Sequence, residues 1–179
     1  RYDGNGLELS RSAYAIAATA LKDHTRSNGH PFIEHPDAVA KIAYEEIGLS
    51  AECIAAIYLH EATRFFPETG IISGRFGKDV YTIVDGLNKI STINPKDTRL
   101  EAENYKKLIV SYSRDPRVTV LKIADRLEVM RSLDMFPKAS RERKVLETMM
   151  LYIPLAHQLG LYNIKSEMED IYFRHADPD

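Results

Sequence analysis

Apolar residues recur along most of this chain three and four positions apart, the spacing of helices that bury one side. From Leu9 to His24 the pattern places Tyr14, Ala17, Ala18 and Leu21 on one face. A loop punctuated by glycine and proline follows, Arg26-Ser27-Asn28-Gly29-His30-Pro31-Phe32-Ile33-Glu34-His35-Pro36. Pro36 suits the first turn of a helix that runs to about Ile47 and that Gly48 ends. Ser50 is the expected cap of the next helix, an apolar run from Ala51 to Leu59. A short helix is expected around Glu68 to Phe76, weakened by Ser73-Gly74. Asp79 to Asn88 reads as a helix with Val80, Ile83, Val84 and Leu87 buried, and Lys89 to Asp97 as a polar loop.

The second half continues in the same manner. A charged amphipathic helix is expected from Asp97 to Ser113, with Tyr105, Leu108, Ile109 and Tyr112 inward. Pro116 opens Arg117 to Leu133, the most apolar helix of the chain, whose stripe is Val120, Ile123, Ala124, Leu127 and Met130. Arg141 to Gln158 carries Val145, Met149, Tyr152 and Ala156 at helical spacing, interrupted mildly by Pro154. Gly160 separates it from a last helix, Tyr162 to Phe173. No stretch alternates as a strand does. The pattern predicts an all-α domain of about eight helices.

Composition narrows the function classes. The 179 residues are 44% hydrophobic and 28% charged, with formal net charge −2, so the chain is expected to form one domain with a sizeable core. That charge balance does not mark a nucleic-acid binder. The longest uninterrupted apolar run, Cys53 to Leu59, is too short to cross a bilayer, and no secretion signal stands at the start. Cys53, the one cysteine, excludes an internal disulfide and suits a reducing cytoplasm. Its place on an apolar helix makes it a packing residue. The chain begins without methionine and ends in Asp177-Pro178-Asp179, so both ends read as cuts in a longer protein.

The chemistry is concentrated at Ile57-Tyr58-Leu59-His60-Glu61-Ala62-Thr63-Arg64-Phe65-Phe66-Pro67. Helices seldom continue through proline, which puts His60 and Glu61 in or near a last turn. An imidazole and a carboxylate there can hold a metal or move protons; taken alone, the pair also fits a helix that simply turns polar toward solvent. Asp125 sits within the apolar Val118–Leu127 run, where burying a carboxylate needs a cation, a metal or hydrogen bonds. The simpler account pairs it with a basic side chain such as Arg126. His35, just before Pro36, reads singly as a capping or surface histidine. Together, His35, His60-Glu61 and a distant Asp125 supply mixed nitrogen and oxygen ligands for a divalent ion such as manganese, able to activate water against a phosphate ester or anhydride.

That order resembles the HD phosphohydrolase superfamily. The flanking stretches resemble one branch of it, the hydrolase domain of RelA/SpoT-type bifunctional alarmone synthetase/hydrolases. They include Asn28-Gly29-His30-Pro31-Phe32-Ile33-Glu34-His35-Pro36, Phe76-Gly77-Lys78-Asp79-Val80, Val84-Asp85-Gly86-Leu87-Asn88-Lys89 and Leu121-Lys122-Ile123-Ala124-Asp125-Arg126-Leu127. Pro154-Leu155-Ala156-His157-Gln158-Leu159-Gly160 and the last helix, Ile164 to Phe173, also match. The resemblance covers nearly the whole chain and implies an HD-type helical bundle. It also implies His35, His60, Glu61 and Asp125 as metal ligands, and Arg26, Ser27, Asn28, Arg131 and Ser132 as nucleotide-binding positions. A synthetase domain is implied to follow in the same polypeptide.

Several positions depart from the family pattern. The His-Asp signature reads His60-Glu61, and the extra methylene moves the carboxylate by on the order of 1 Å. The Glu-Asp pair that handles the attacking water is matched by Arg64 and Phe65, neither of which can be a general base. Val129 stands where an asparagine is usual, and Ser27-Asn28 replaces Lys-Ser. Arg64 lies three residues beyond Glu61, within pairing distance on a helix.

The expectation is therefore a cytoplasmic, catalytically degenerate (p)ppGpp hydrolase-like domain that regulates the adjoining synthetase domain, without nucleic-acid or membrane partners. Two alternatives stand beside it. One is an active manganese-dependent 3′-pyrophosphohydrolase with Glu61 as ligand and Glu68 or Glu128 as base. The other is a guanine-nucleotide sensor without turnover. A degenerate site implies no metal. The basic cluster Lys138, Arg141, Arg143 and Lys144 reads as a solvated helix start, and His157 as a core or interface histidine.

Overall fold

The computed structural model describes residues 2–65, 70–91 and 115–176. The chain falls into two compact units, residues 1–89 and 90–179. Among the described residues every extended element is helical, the only β feature being an isolated bridge between Thr25 and Pro31. The all-α expectation holds.

In the first unit, α1 (Gly4–Ala20) starts at Asp3, whose carboxylate accepts from the Gly6 amide at 2.7 Å. It packs along α3 (Ala51–Thr63) through small residues. Ala13, Ala17, Ala55 and Ala56 have no accessible surface, and a Cβ on Gly6 would meet the Ala51 Cβ at 3.1 Å. The buried face of α1 is Ala13, Ala17, Ala20 and Leu21. The expected inclusion of Tyr14 and Ala18 is thus corrected: Ala18 is half-buried and Tyr14 exposed. The Tyr14 ring instead lies edge-on to Tyr58, centroids 5.4 Å apart.

Helix α2 (Glu34–Lys41) holds Pro36 in its first turn, as expected, and continues through a wide π turn, Ile42–Ile47. Gly48 ends it at φ +80°, a left-handed conformation that favours glycine. Ser50 occupies the cap position of α3 with extended backbone, but its hydroxyl does not cap. It turns to Cys53 Sγ at 3.6 Å, while its carbonyl accepts from the Cys53 and Ile54 amides. Cys53 is buried, as a packing residue should be. Helices α4 (Gly70–Phe76) and α5 (Lys78–Ser91) follow. The α5 stripe of Val80, Ile83, Val84 and Leu87 is buried as predicted. Its last turns extend into the stretch expected to be a loop. The helix expected from Asp97 to Ser113 lies outside the described residues.

In the second unit, Asp115 caps α6 (Pro116–Arg131), accepting from the Arg117 amide. A 3-10 turn, Leu133–Met135, leads to α7 (Lys138–Glu147), a π turn (Thr148–Tyr152), α8 (Ile153–Gln158) and α9 (Tyr162–Ala176). The single helix expected over Arg141–Gln158 is this α7-to-α8 path. Its wide turn falls just ahead of Pro154, which has no N–H to donate. Met130, Leu133, Val145 and Ile171 form a core cluster with Tyr172 against it. Val120 is half-buried and Met149 exposed, so these two expected core positions are corrected.

Arg126 braces this unit. It donates to Glu147 Oε2 at 2.9 Å and to the Lys144 carbonyl at 3.1 Å, and lies over the Tyr152 ring at 4.6 Å. Lys144 is half-buried with its ammonium 4.8 Å from the Phe136 ring. Burial and the nearby Arg126 push its pKa down. The basic cluster is therefore not uniformly solvated. His157 is exposed, tilted toward the Tyr162 ring, rather than in a core.

Two substitutions test this packing by urea denaturation. Leu127→Ala, at a position with no accessible surface, is expected to cost about 2–5 kcal/mol. Gly48→Ala has open space for its methyl, so only backbone strain remains, about 1–2 kcal/mol.

Candidate metal centre

The last turn of α3 is an unusual place for charge. Every residue from Cys53 to Ala62 is buried, His60 and Glu61 among them, and Glu61 is 3% accessible. The burial follows from the sequence. Cys53 to Leu59 is an uninterrupted apolar run, so the helix is enclosed by its neighbours, and the polar pair that ends it is enclosed too.

His35 is buried on α2 and presents Nε2 to Glu61 Oε1 at 3.8 Å. What sets this approach is Tyr58, one turn before Glu61. Its hydroxyl donates to Asp37 Oδ1 at 2.7 Å, two residues beyond His35. Burial and that carboxylate push the Tyr58 pKa far above the ordinary tyrosine range, so the ring remains a neutral donor. The other Glu61 oxygen is held by Arg64, whose Nη1 donates to Oε2 at 3.0 Å. The Arg64 side chain is 55% exposed, so a half-solvated cation closes a buried carboxylate. The expected Glu61–Arg64 pairing is formed.

His60 points its Nδ1 at Asn88 Oδ1 on α5, 2.9 Å away, and Thr63 completes a small polar circuit with both. Phe65 is stacked on His24 at 3.8 Å. Phe65 is thus an aromatic packed on the loop that follows α1. The imidazole of His35 and the carboxylate of Glu61, together in an apolar setting, are donors of the kind that suit a divalent transition ion.

The nucleotide-binding candidates divide between the units. In the first, Arg26, Ser27 and Asn28 lie on a short clamp between α1 and α2. The Arg26 amide donates to the His30 carbonyl, and Asn28 Oδ1 accepts from the His30 amide. Asn28 therefore shapes the turn, while Ser27 is exposed and Arg26 half-buried. In the second unit, Asp125 is half-buried on α6 and Val129 occupies the next turn. Glu128 is buried and accepts from Ser132 Oγ at 2.7 Å. Arg131 grips Glu167 with two donors, at 2.6 and 2.7 Å. Those two residues, with Met130, Leu133, Ile171 and Arg174, line a groove of about 270 Å³. Glu68 lies outside the described residues.

Sequence reasoning did not pick out Tyr58, Asp37, His24 or Asn88 as parts of the site. A tyrosine inside an otherwise apolar helix signals a hydroxyl in need of a partner. Nothing local to His24 or Asn88 points to a role.

Residues 13–162 match the family described as HD domain. Over 179 residues the chain is 38% identical to a guanosine-3′,5′-bis(diphosphate) 3′-pyrophosphohydrolase of Aquifex aeolicus, covering 99% of this chain and 25% of that protein. It is also 38% identical to the bifunctional (p)ppGpp synthase/hydrolase SpoT of Escherichia coli, over 97% of this chain and 25% of that protein. A solved structure described as a metazoan ortholog of SpoT that hydrolyzes ppGpp superposes with a TM-score of 0.76, at 19% identity and 98% coverage of both chains. At that identity the likeness speaks to the fold. This chain belongs to the HD domain family. It resembles the SpoT-type hydrolases over nearly its whole length and spans about a quarter of the relatives it matches. Among the described residues no helix is long and apolar enough to cross a membrane.

The Arg131 grip gives a pH test. Hydrogen bonding from Arg131 holds the Glu167 carboxyl below its usual range, against a smaller opposing effect of burial. A depressed folded pKa adds stability above the unfolded value, and that stability is lost as pH falls through the folded one. Arg131→Ala should return Glu167 to the ordinary glutamate range in a carboxyl NMR titration. It should also flatten the acid limb of stability contributed by this pair.

Proposed function

We propose that this chain is the HD-type hydrolase-like domain of a RelA/SpoT-type protein, degenerate in (p)ppGpp hydrolysis and regulatory toward an adjoining synthetase domain. The observation that carries the reading is the Glu61–Arg64 contact of 3.0 Å. The position at which such hydrolases place an acid holds a permanent cation, and that cation is bonded to the carboxylate meant for the metal. Arg64 cannot accept a proton from water, and Phe65, stacked on His24, offers no polar atom. Regulation of this kind needs states whose contacts with the synthetase domain differ in free energy.

A second reading rests on the approach of His35 to Glu61. If an ion is held, His35, His60, Glu61 and Asp125 are the residues proposed to hold it, with manganese the proposed ion. Bound there, the ion would lower the pKa of a coordinated water. Arg26, Ser27, Asn28, Arg131 and Ser132 are the positions proposed to meet a guanine nucleotide, by their place in the family's order. In this reading the chain is a working 3′-pyrophosphohydrolase, Glu61 is a ligand, and a glutamate such as Glu128 serves as base. Binding of the nucleotide without turnover would make the domain a sensor.

Metal content after purification with manganese, followed by a (p)ppGpp turnover assay on the same sample, separates these readings. The expected result is no stoichiometric metal and no pyrophosphate release. One bound ion with measurable release overturns degeneracy. Arg64→Ala tests the counter-charge directly. Removing it strands a buried carboxylate and is expected to cost about 1–3 kcal/mol, discounted for the half-exposed partner. It is also expected to raise manganese affinity. Unchanged stability together with unchanged affinity would sink the counter-charge role.

A further inference from the structure

The clamp that carries Arg26, Ser27 and Asn28 is closed by its own backbone. The Phe32 amide donates to the His24 carbonyl at 2.9 Å and the Arg26 amide to the His30 carbonyl at 2.8 Å, around the isolated Thr25–Pro31 bridge. So short a hairpin is marginal in water by itself, and its order depends on what its two feet stand on. One foot runs into α2, where the His35 amide donates to the Phe32 carbonyl at 2.9 Å. An exposed contact of 3.2 Å between His30 Nδ1 and Glu34 Oε2 adds little. The other foot, His24, is half-buried, and its ring lies on Phe65 with the planes 28° apart. Phe65 is 41% exposed, so it is no core residue. It stands four positions beyond Glu61, about one helical turn. The end of α3 thus receives α2 through Glu61 and the clamp through Phe65.

We infer that Phe65 is a positioning residue: its stack on His24 pins the clamp to the end of α3 and holds Arg26, Ser27 and Asn28 in place ahead of any ligand. That the clamp receives a guanine nucleotide rests on the nucleotide-binding reading above; the pin itself does not. Stacked aromatic rings attract beyond the area they bury, so a leucine at position 65 would keep apolar bulk and lose the pin. Order of this kind serves binding, because a ligand that must first order its own loop gives up affinity in doing so.

The test is hydrogen exchange, followed by NMR, at the Arg26 and Phe32 amides, whose rates report how often the clamp opens. Phe65→Leu is expected to speed both about 2–10-fold, the loss of one aromatic pair. The amides of Ala17 in α1 and Leu59 in α3 should keep their wild-type rates. Phe65→Tyr, which preserves the stack, should keep exchange slow. Unchanged clamp rates in a folded Phe65→Leu protein overturn the inference, and so does acceleration spread evenly over α1 and α3. If neither variant folds, the wild type decides. A nuclear Overhauser contact between the His24 and Phe65 rings and protected Arg26 and Phe32 amides are expected, and the absence of either overturns the pin. GDP, added as the probe, is expected to slow the same two amides further. Protection by GDP with rates indifferent to Phe65→Leu overturns the pin and leaves the nucleotide reading standing. Acceleration by Phe65→Leu without protection by GDP supports the pin and overturns the nucleotide reading.

Discussion

A carboxylate with almost no access to water is the constraint around which the first unit is built. Glu61 ends an apolar helix, and its two oxygens face different neighbours, His35 on one side and Arg64 on the other. An isolated charge in such a place would be forced to neutralise itself or to drag in solvent. The chain meets the demand from within the helix's own C-terminal turn. Because Arg64 is only partly withdrawn from water, its own desolvation cost is small, and the pair escapes the usual penalty for burying two ions.

The arrangement extends outward through neutral contacts. Tyr58 fixes the helix that brings His35, and Asn88 fixes the ring of His60. Neither contact needs a metal in order to form. Ordinary hydrogen bonds therefore tie α2, α3 and α5 together around this turn. The shape of this end of α3 thus rests on the protein's own contacts.

Much of this was legible in the sequence, and the failures have specific causes. The α5 stripe, the Gly48 stop and the His60-Glu61 position at the end of α3 all followed from spacing and from proline and glycine placement. The α1 face is ambiguous in the sequence because an alanine-rich helix offers several stripes, and Tyr14, which spacing places inward, lies edge-on to Tyr58 from the surface. Ser50 was expected to cap by residue type, but Cys53 Sγ drew its hydroxyl away. The ligand candidates are legible from residue type and family order rather than from periodicity, which leaves His35 in the loop ahead of α2. The orienting residues are not, because hydrogen bonds between helices 28 positions apart leave no periodic trace.

The alanine seam between α1 and α3 has a consequence for how this chain tolerates change. Ala13, Ala17, Ala55 and Ala56 leave no room for larger side chains, so the early turns of α3 are locked by backbone proximity rather than by any one bulky contact. Of the positions that depart from the expected family pattern, Glu61, Arg64 and Phe65 lie beyond that seam. The platform and its chemistry are thus separable in heredity: drift at the end of α3 can erase or rewrite an activity while the scaffold that displayed it goes on being inherited intact.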